Sequence, residues 1–185
     1  MDISTIRQKL TQRTKKSLDI DRLVPASILM PLFMKSGALH VLFTKRTDHL
    51  EHHKGQISFP GGVFQPEDRE LLITALRESE EEIGLHNNDV EILGELDDTI
   101  TITQYRITPY VGVIPYPYPF HLNDFEVARL ILAPLHDLMD ERIQKWQEIM
   151  MDGRPYLQYV FQVNEDIIWG ATARILKDFL DLLSN

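Results

Sequence analysis

Hydrophobic positions along the chain switch between helical and strand-like spacing. Ile3, Ile6 and Leu10 recur at helical intervals, which predicts an N-terminal helix over residues 3–18. Two β-rich segments, 27–34 and 38–46, then flank a short turn and predict two strands. Further strands are predicted at 90–96, 106–116, 126–132 and 156–163, and helical pieces at 134–149 and 171–183.

A stripe of apolar and small residues predicts one more helix, over about residues 69–83. The stripe contains Leu72, Ala75, Leu76, Ser79 and Ile83, and Gly84 follows it as a C-terminal cap. Strands and helices interleave without the regular alternation of a doubly wound sheet. We therefore expect an α/β fold with a mixed sheet between helices, in a single domain spanning residues 1–185.

Composition narrows the classes of function. The chain of 185 residues carries a formal net charge of −9, which repels polyphosphate chains and disfavours non-specific nucleic-acid binding. It has no cysteine, which excludes disulfides, thiolate catalysis and cysteine-based zinc sites. The apolar runs fall short of the roughly 20 residues of a membrane span, and the N-terminus does not look like a signal peptide. We expect a cytoplasmic protein with no membrane partner.

Three glutamates stand on one side of the predicted helix. Glu78, Glu81 and Glu82 are spaced i, i+3 and i+4, so their carboxylates fall within one arc, whereas Glu80 points elsewhere. Like charges this close repel one another unless a cation lies among them. Hard oxygen ligands without histidine favour Mg²⁺ or Mn²⁺, which serve phosphate chemistry. The alternative is a solvated acidic face, the commoner meaning of a charge run.

The segment before the helix supports a functional interpretation. Gly61 and Gly62 follow a strand-like run, where a bare backbone can approach a ligand closely. Asp68 is placed to cap the start of the helix. One continuous site would then contain the loop, the capped helix, the three carboxylates and the terminal glycine.

Residues 62–85 resemble the Nudix box, G-x5-E-x7-R-E-U-x-E-E-x-G-U, where U is aliphatic. The second half matches at Arg77, Glu78, Glu81, Glu82, Gly84 and Leu85, while Ser79 occupies an aliphatic position. Asp68 replaces the first glutamate, one residue further from Arg77. This longer spacing is typical of the coenzyme A pyrophosphatase branch of the family.

That branch also carries a signature upstream of the box, similar to L-L-T-x-R-[SA]-x3-R-x3-G-x3-F-P-G-G. The chain matches it at Leu42, Thr44, Arg46, Gly55, Phe59, Pro60, Gly61 and Gly62. Glu51 stands where the second basic residue is expected, which reverses a charge that would face an anionic substrate. The resemblance covers roughly residues 24–180 and implies a Nudix-type α/β/α sandwich.

The resemblance implies a role for each matched residue. Glu78, Glu81 and Glu82 would be the metal ligands, with a carbonyl from Gly62, and Arg77 would orient the carboxylates. Asp68 would be a structural cap or an arginine partner rather than a ligand. Glu126 resembles the family's strand-start glutamate and would bind a further metal or act as the catalytic base, with Glu78 as the competing base; the alternative is a solvated residue at a strand edge.

Substrate contacts are less strongly indicated. Arg46, Lys45 and Lys54 are candidates for phosphate contact, beside the backbone of Gly61 and Gly62, although ordinary surface charge is the alternative. Trp169 and Tyr105 could stack on an adenine, yet large aromatics in apolar surroundings are usually core residues.

These observations predict an enzyme that uses Mg²⁺ or Mn²⁺ to cleave the diphosphate of coenzyme A or acyl-coenzyme A into 3′,5′-ADP and a phosphopantetheine. The alternatives are the same reaction on ADP-ribose or a dinucleoside polyphosphate, or a Nudix-like domain that binds a nucleotide without turnover. The apolar stripe at 171–183 is expected to pack on the sheet, or else to support a homodimer.

Overall fold

A computed structural model describes residues 2–18, 20, 22–49, 54–151 and 154–184. The helices are α1 (Ile3–Gln12), α2 (Leu71–Ile83), α3 (Leu135–Leu138) and α4 (Gly170–Ser184). The first strands along the chain are β1 (Val24–Lys35), β2 (Ala38–Arg46), β3 (Ile57–Ser58), β4 (Gly61–Val63) and β5 (Glu91–Glu95). The later strands are β6 (Thr99–Ile100), β7 (Tyr105–Val113), β8 (Val127–Pro134), β9 (Gln144–Met151), β10 (Arg154–Val163) and β11 (Asp166–Ile168).

Strands β1 to β8 form one mixed sheet, and β9 to β11 form a separate antiparallel sheet. In the mixed sheet β1 and β7 run parallel, while the other neighbours pair antiparallel. β1 and β2 pair only near the turn that joins them. Where the two strands separate, β4 pairs with β1 and β3 pairs with β2. The predicted mixed sheet between helices is confirmed.

Alternating side chains of the mixed sheet face different helices. Leu29 and Phe33 of β1 share a hydrophobic cluster with Ala75 and Ile83 of α2. The intervening Met30 and Leu32 belong to a second cluster, which includes residues of α1, α4 and the smaller sheet. The central sheet therefore lies between α2 on one face and α1 with α4 on the other.

The apolar stripe of α4 is packed inside the molecule. Ala173, Ile175, Leu176, Phe179, Leu180 and Leu183 are all buried. This agrees with the first of the two interpretations of the stripe, since side chains used in the core do not form a dimer interface. None of the helices in the described part of the chain is both long and apolar enough to pass through a bilayer.

The N-terminal helix is shorter than predicted. It ends at Gln12, and the backbone at Arg13 is extended. The following residues are held by acidic groups after β5: Arg13 bonds to Asp97, whose carboxylate also accepts from the backbone N–H of Lys16. Asp98 accepts from the backbone N–H of Leu18. These contacts favour an extended segment, so the prediction of a helix to residue 18 is wrong.

The predicted helical pieces at 134–149 are also largely wrong. Only α3 and one 3-10 turn, Glu141–Ile143, are helical, and β9 begins at Gln144. β9 pairs with β10 from Gln144 opposite Phe161 to Met151 opposite Arg154. The partner strand therefore decides a conformation for which local periodicity favours a helix.

A buried carboxylate connects the two sheets. Asp166 of β11 is 5% exposed. Its oxygens accept hydrogen bonds from Lys45 of β2 at 3.0 Å and from Arg129 of β8 at 2.5 Å. Burial alone would raise the pKa of Asp166, but the hydrogen bonds and charges of Lys45 and Arg129 outweigh it and lower the pKa below its ordinary value.

We expect Asp166→Asn to destabilise the protein by about 2 kcal/mol at pH 7, because it leaves two partly buried cations without their counter-charge. A carboxyl group whose pKa is lower in the folded than in the unfolded protein stabilises the fold at pH values above its unfolded pKa of 3.8. This stabilisation is lost as the pH falls through the folded pKa. The gap between wild type and variant should therefore narrow below about pH 4. Urea unfolding at pH 7 and at pH 3.5 measures both effects.

The matched control is Asp137→Asn, an aspartate whose side chain is 59% exposed beside His136. It should change the free energy of unfolding by less than about 0.5 kcal/mol. Equal effects of the two substitutions would show that Asp166 does not stabilise the contact between the sheets.

Candidate active site

Two glycines of β4 each allow a neighbouring element to approach closely. A Cβ on Gly61 would lie 2.3 Å from the carbonyl oxygen of Ser27, and Gly61 has φ of +153°. A Cβ on Gly62 would lie 2.3 Å from the carboxyl carbon of Glu78. Gly61 is therefore required by the neighbouring backbone, whereas Gly62 makes room for a carboxylate.

Glu82 is the buried member of the carboxylate group. It is 3% exposed, and its Oε2 has no hydrogen-bond partner within the described residues. Burial raises the pKa of Glu82 to about 8, against the opposing influence of the positive charge of Arg46. A buried carboxylate oxygen without a partner is costly, and a bound cation would remove that cost.

Glu78 and Glu81 share one donor. Nη1 of Arg77 lies 2.8 Å from Glu78 Oε1 and 3.1 Å from Glu81 Oε2. The side chain of Glu78 is 16% exposed and that of Glu81 is 57% exposed. Burial raises the pKa of Glu78, against the lowering effect of Arg77. Glu80 lies on another side of the helix beside His86, as predicted.

Arg77 is itself anchored by Asp68. Nε of Arg77 donates to Asp68 Oδ1 at 2.8 Å, and Nη2 donates to Oδ2 at 3.1 Å. Asp68 also accepts from Thr74 Oγ1 at 2.8 Å and from the backbone N–H of Gln65 at 3.0 Å. The hydrogen bond from Arg77 holds the pKa of Asp68 well below its usual range.

Asp68 is therefore the arginine partner rather than the cap of α2. It lies in a 3-10 turn, Pro66–Asp68, and Glu70 occupies the N-cap position of the helix. Four charge-assisted contacts then fix the guanidinium in front of the glutamates. Arg77 thus lies between Asp68 and the two glutamates, and its orienting role stays a prediction.

The loop before β8 brings Glu126 towards α2. The backbone N–H of Asn123 donates to the carbonyl of Glu82 at 2.9 Å, and Asn123 Nδ2 lies 3.3 Å from Glu126 Oε1. The N–H of Thr47 donates to the carbonyl of Glu126 at 3.0 Å. The charge of Glu126 contributes to the raised pKa of both Glu78 and Glu82, which places it near them.

Asn123 is a residue that the sequence analysis missed. It bonds to Glu82 through its backbone and to Glu126 through its side chain, so it connects the two halves of the site. An asparagine three residues before a candidate base, at a turn, was the available signal.

The three predicted cations separate in the structure. Arg46 faces Glu82, and its Nε is buried without a hydrogen-bond partner among the described residues. Lys45 lies opposite Arg129 across β2 and β8, and both bond to Asp166 on the face that α2 does not cover. Lys45 is therefore no longer a candidate for phosphate contact, because its charge pairs with Asp166 between the two sheets. Lys54 is exposed in the turn before β3.

Glu51, where the chain departs from the upstream signature, lies outside the described residues.

The carboxylates fit a divalent cation chemically, although they are not gathered into a finished site. No group of three or more His, Cys, Asp or Glu side chains within the described ranges is arranged to hold a metal. Arg77 instead supplies the positive charge to Glu78 and Glu81. The unpartnered Glu82 Oε2, next to carboxylates that raise one another's pKa, offers hard oxygen donors of the kind that Mg²⁺ and Mn²⁺ prefer.

Comparison with known proteins identifies the family. The family model for the NUDIX domain matches residues 23–152. An uncharacterized Nudix hydrolase, NudL, from Yersinia pestis strain Pestoides F is 36% identical over 159 residues, covering 86% of this chain and 79% of the relative. NudL of Yersinia pseudotuberculosis serotype O:1b shows the same identity and coverage.

Solved structures support the fold. A MutT/nudix family protein from Enterococcus faecalis aligns with a TM-score of 0.55 at 12% identity, covering 100% of this chain and 71% of that one. An Ap4A hydrolase binary complex from C. elegans aligns with a TM-score of 0.53 at 16% identity, covering 63% of this chain and 84% of that one. At these identities the likeness concerns the fold alone.

Proposed function

Because the chain belongs to the Nudix family of hydrolases, we propose that it cleaves the diphosphate of coenzyme A or an acyl-coenzyme A, using Mg²⁺ or Mn²⁺. The observation that best supports a hydrolytic site here is a pair of buried atoms without hydrogen-bond partners among the described residues, Glu82 Oε2 and Arg46 Nε. One suits a cation and the other suits a phosphate oxygen. The choice of coenzyme A rests on the signature that surrounds Arg46 and leads into Gly61 and Gly62.

The proposed ligands of the cation are Glu78, Glu81 and Glu82, with the carbonyl of Gly62. A bound divalent cation would neutralise charge on the phosphate oxygens and lower the pKa of the attacking water. Arg77 holds Glu78 and Glu81 in position through hydrogen bonds that Asp68 in turn directs. Arg46 contacts a non-bridging oxygen of the diphosphate, together with the backbone of Gly61 and, further out, Lys54.

We propose Glu126 as the base that takes the proton from the attacking water. Glu78 is already a hydrogen-bond acceptor of Arg77 and lies against Gly62, whereas the contact found for the carboxylate of Glu126 is Asn123 Nδ2 at 3.3 Å. A carboxylate that binds a cation and accepts from Arg77 has fewer lone pairs left for the proton of the water, which favours Glu126. Water oxygen bonds to one phosphorus, the bridging P–O bond breaks, and 3′,5′-ADP and a phosphopantetheine are released.

Two other functions are retained as competitors. The same chemistry on ADP-ribose or a dinucleoside polyphosphate would use the same carboxylates, and the C. elegans neighbour is an Ap4A hydrolase. A binding domain without turnover is disfavoured, because it gains nothing from keeping Glu78 and Glu82 mutually repelling in a buried position.

The test is product formation from matched substrates with Mg²⁺ and with Mn²⁺. We expect release of 3′,5′-ADP from coenzyme A with kcat/KM at least about tenfold higher than release of AMP from ADP-ribose. Omission of the metal is the control and should abolish both reactions. Turnover of ADP-ribose without turnover of coenzyme A would replace the proposed substrate, and no turnover of any diphosphate would refute hydrolysis.

A further inference from the structure

A cavity of about 780 Å³ lies beside the N-terminus of α4. The turn between β6 and β7 contributes Ile102, the smaller sheet contributes Trp146 and Leu157, and Trp169 precedes the helix. Gln56, just before β3, forms part of the wall. Its volume is within the range of small-molecule sites.

Large apolar side chains are exposed around this cavity. Trp146 is 64% exposed, Ile102 59%, Leu157 57% and Trp169 38%. Single exposed apolar residues are common, but four around one concave surface are not. This surface has the character of a binding site for an apolar group.

The charges in the cavity compensate one another. Lys177 forms an i,i+4 ion pair with Asp181 on α4. Arg174 donates to the carbonyl oxygen of Ile100 at 2.9 Å, and Asp178 supplies a second carboxylate to the wall. Two cations and two carboxylates leave no net positive charge for a phosphate, so an uncharged ligand is favoured.

The cavity borders the same mixed sheet as the glycine strand. The carbonyl of Gln56, in its wall, accepts from the backbone N–H of Arg46 at 2.9 Å. Ile100 of β6 pairs with Arg106 of β7, and Arg106 pairs with Pro25 of β1, next to the residue that pairs with Val63. Within the sheet, three strand spacings, about 14 Å, therefore separate β6 from β4. Because the cavity lies on the α4 side of the sheet and Glu78 lies on the α2 side, a pantetheine arm would have to pass from one side of the sheet to the other.

We propose that this cavity binds the acyl chain of an acyl-coenzyme A whose diphosphate lies at Gly62 and Glu78. The inference rests on the proposed function and adds that the enzyme prefers long acyl thioesters to free coenzyme A. Each buried methylene contributes about 0.8 kcal/mol, so even a few methylenes in the cavity suffice for a tenfold preference. We therefore expect kcat/KM for decanoyl-coenzyme A at least about tenfold above that for coenzyme A.

The variant that tests the location is Leu157→Glu, which puts a charge into the cavity from an exposed strand position. It should reduce the ratio of the two kcat/KM values towards one. Met34→Glu is the matched control, since Met34 is 46% exposed on β1 and does not line the cavity. It should leave the ratio and both turnover values unchanged.

Tryptophan fluorescence provides a readout that does not need turnover. The chain has two tryptophans, Trp146 and Trp169, and both line the cavity. Titration with decanoyl-coenzyme A in EDTA should change the emission saturably, and free coenzyme A at the same concentrations should change it much less. An equal response to both ligands would place the adenine in the cavity and overturn the proposal.

The remaining outcomes separate the two proposals. If coenzyme A is hydrolysed and the kcat/KM values for decanoyl-coenzyme A and coenzyme A are about equal, the acyl site is refuted and the proposed function is not. A high ratio that Leu157→Glu does not lower places the acyl chain elsewhere. A dimer in sedimentation that Leu157→Glu dissociates would show that a second copy covers the cavity, which also refutes the proposal. Failure to hydrolyse any coenzyme A derivative refutes both.

Discussion

Glu82→Gln is expected to reduce metal-dependent hydrolysis by at least about a thousandfold while the protein remains folded. Loss of an outer hydrogen-bond partner of a metal ligand typically costs 10–100-fold, and loss of the ligand charge itself should cost more. Steady-state assays with coenzyme A at saturating Mg²⁺ and Mn²⁺ measure the effect. Residual activity above about a tenth of wild type would contradict the proposed role of Glu82.

The same substitution should not destabilise the metal-free protein. Glu82 is buried with an unpartnered Oε2 near Glu78 and Glu126, and these surroundings raise its pKa to about 8. Near neutral pH the group must take up a proton or remain a costly buried charge, and a neutral amide removes that cost. Thermal unfolding in EDTA should give an equal or higher Tm for the variant. Glu80→Gln, on another side of α2 beside His86, is the matched control and should retain wild-type activity.

Gly62→Ala is expected to lower turnover by about a hundredfold with little loss of stability. The added methyl group would fall 2.3 Å from the carboxyl carbon of Glu78, so that flexible side chain must move away from β4. A displacement of about 1 Å at a catalytic group can cost on the order of 100-fold in rate. Assays and urea unfolding of the same preparation separate activity from folding.

Gly61→Ala is the comparison variant for Gly62→Ala. Its methyl group would meet backbone atoms of Ser27 and Ile28, whereas the methyl group at residue 62 would meet the flexible side chain of Glu78. We expect a loss of about 2 kcal/mol in the free energy of unfolding. If Gly62→Ala destabilised the protein as much as Gly61→Ala and kept its activity, the close approach of Glu78 to β4 would have no catalytic meaning.

Local patterns were sufficient for the helix that carries the glutamates. The apolar stripe and the glycine cap at Gly84 predict a helix over residues 69–83, and α2 is Leu71–Ile83. The predicted start therefore differs by two residues and the predicted end is the same. The spacing of Glu78, Glu81 and Glu82 places them on one side, and the structure adds that Glu82 is buried whereas Glu81 is not. That difference depends on β4 and the loop before β8, which helical periodicity does not describe.

Long-range pairing decided what local patterns could not. Lys45 and Arg46 are adjacent in β2, yet the pleat and a register shift between them direct one to Asp166 and the other to Glu82. From sequence both were equal candidates for phosphate contact. The end of α1 at Gln12 and the strand conformation of β9 likewise depend on partners far along the chain.

The packing of α1 and α4 has a practical consequence for anyone who shortens this chain. The region that matches the family model, residues 23–152, excludes both helices, yet Ile6 and Leu10 of α1 and six apolar residues of α4 are buried. A fragment cut at those boundaries would expose the underside of the large sheet, including Met30 and Phe43, to water. The smallest piece of this protein that keeps its core covered therefore extends well past residues 23 and 152.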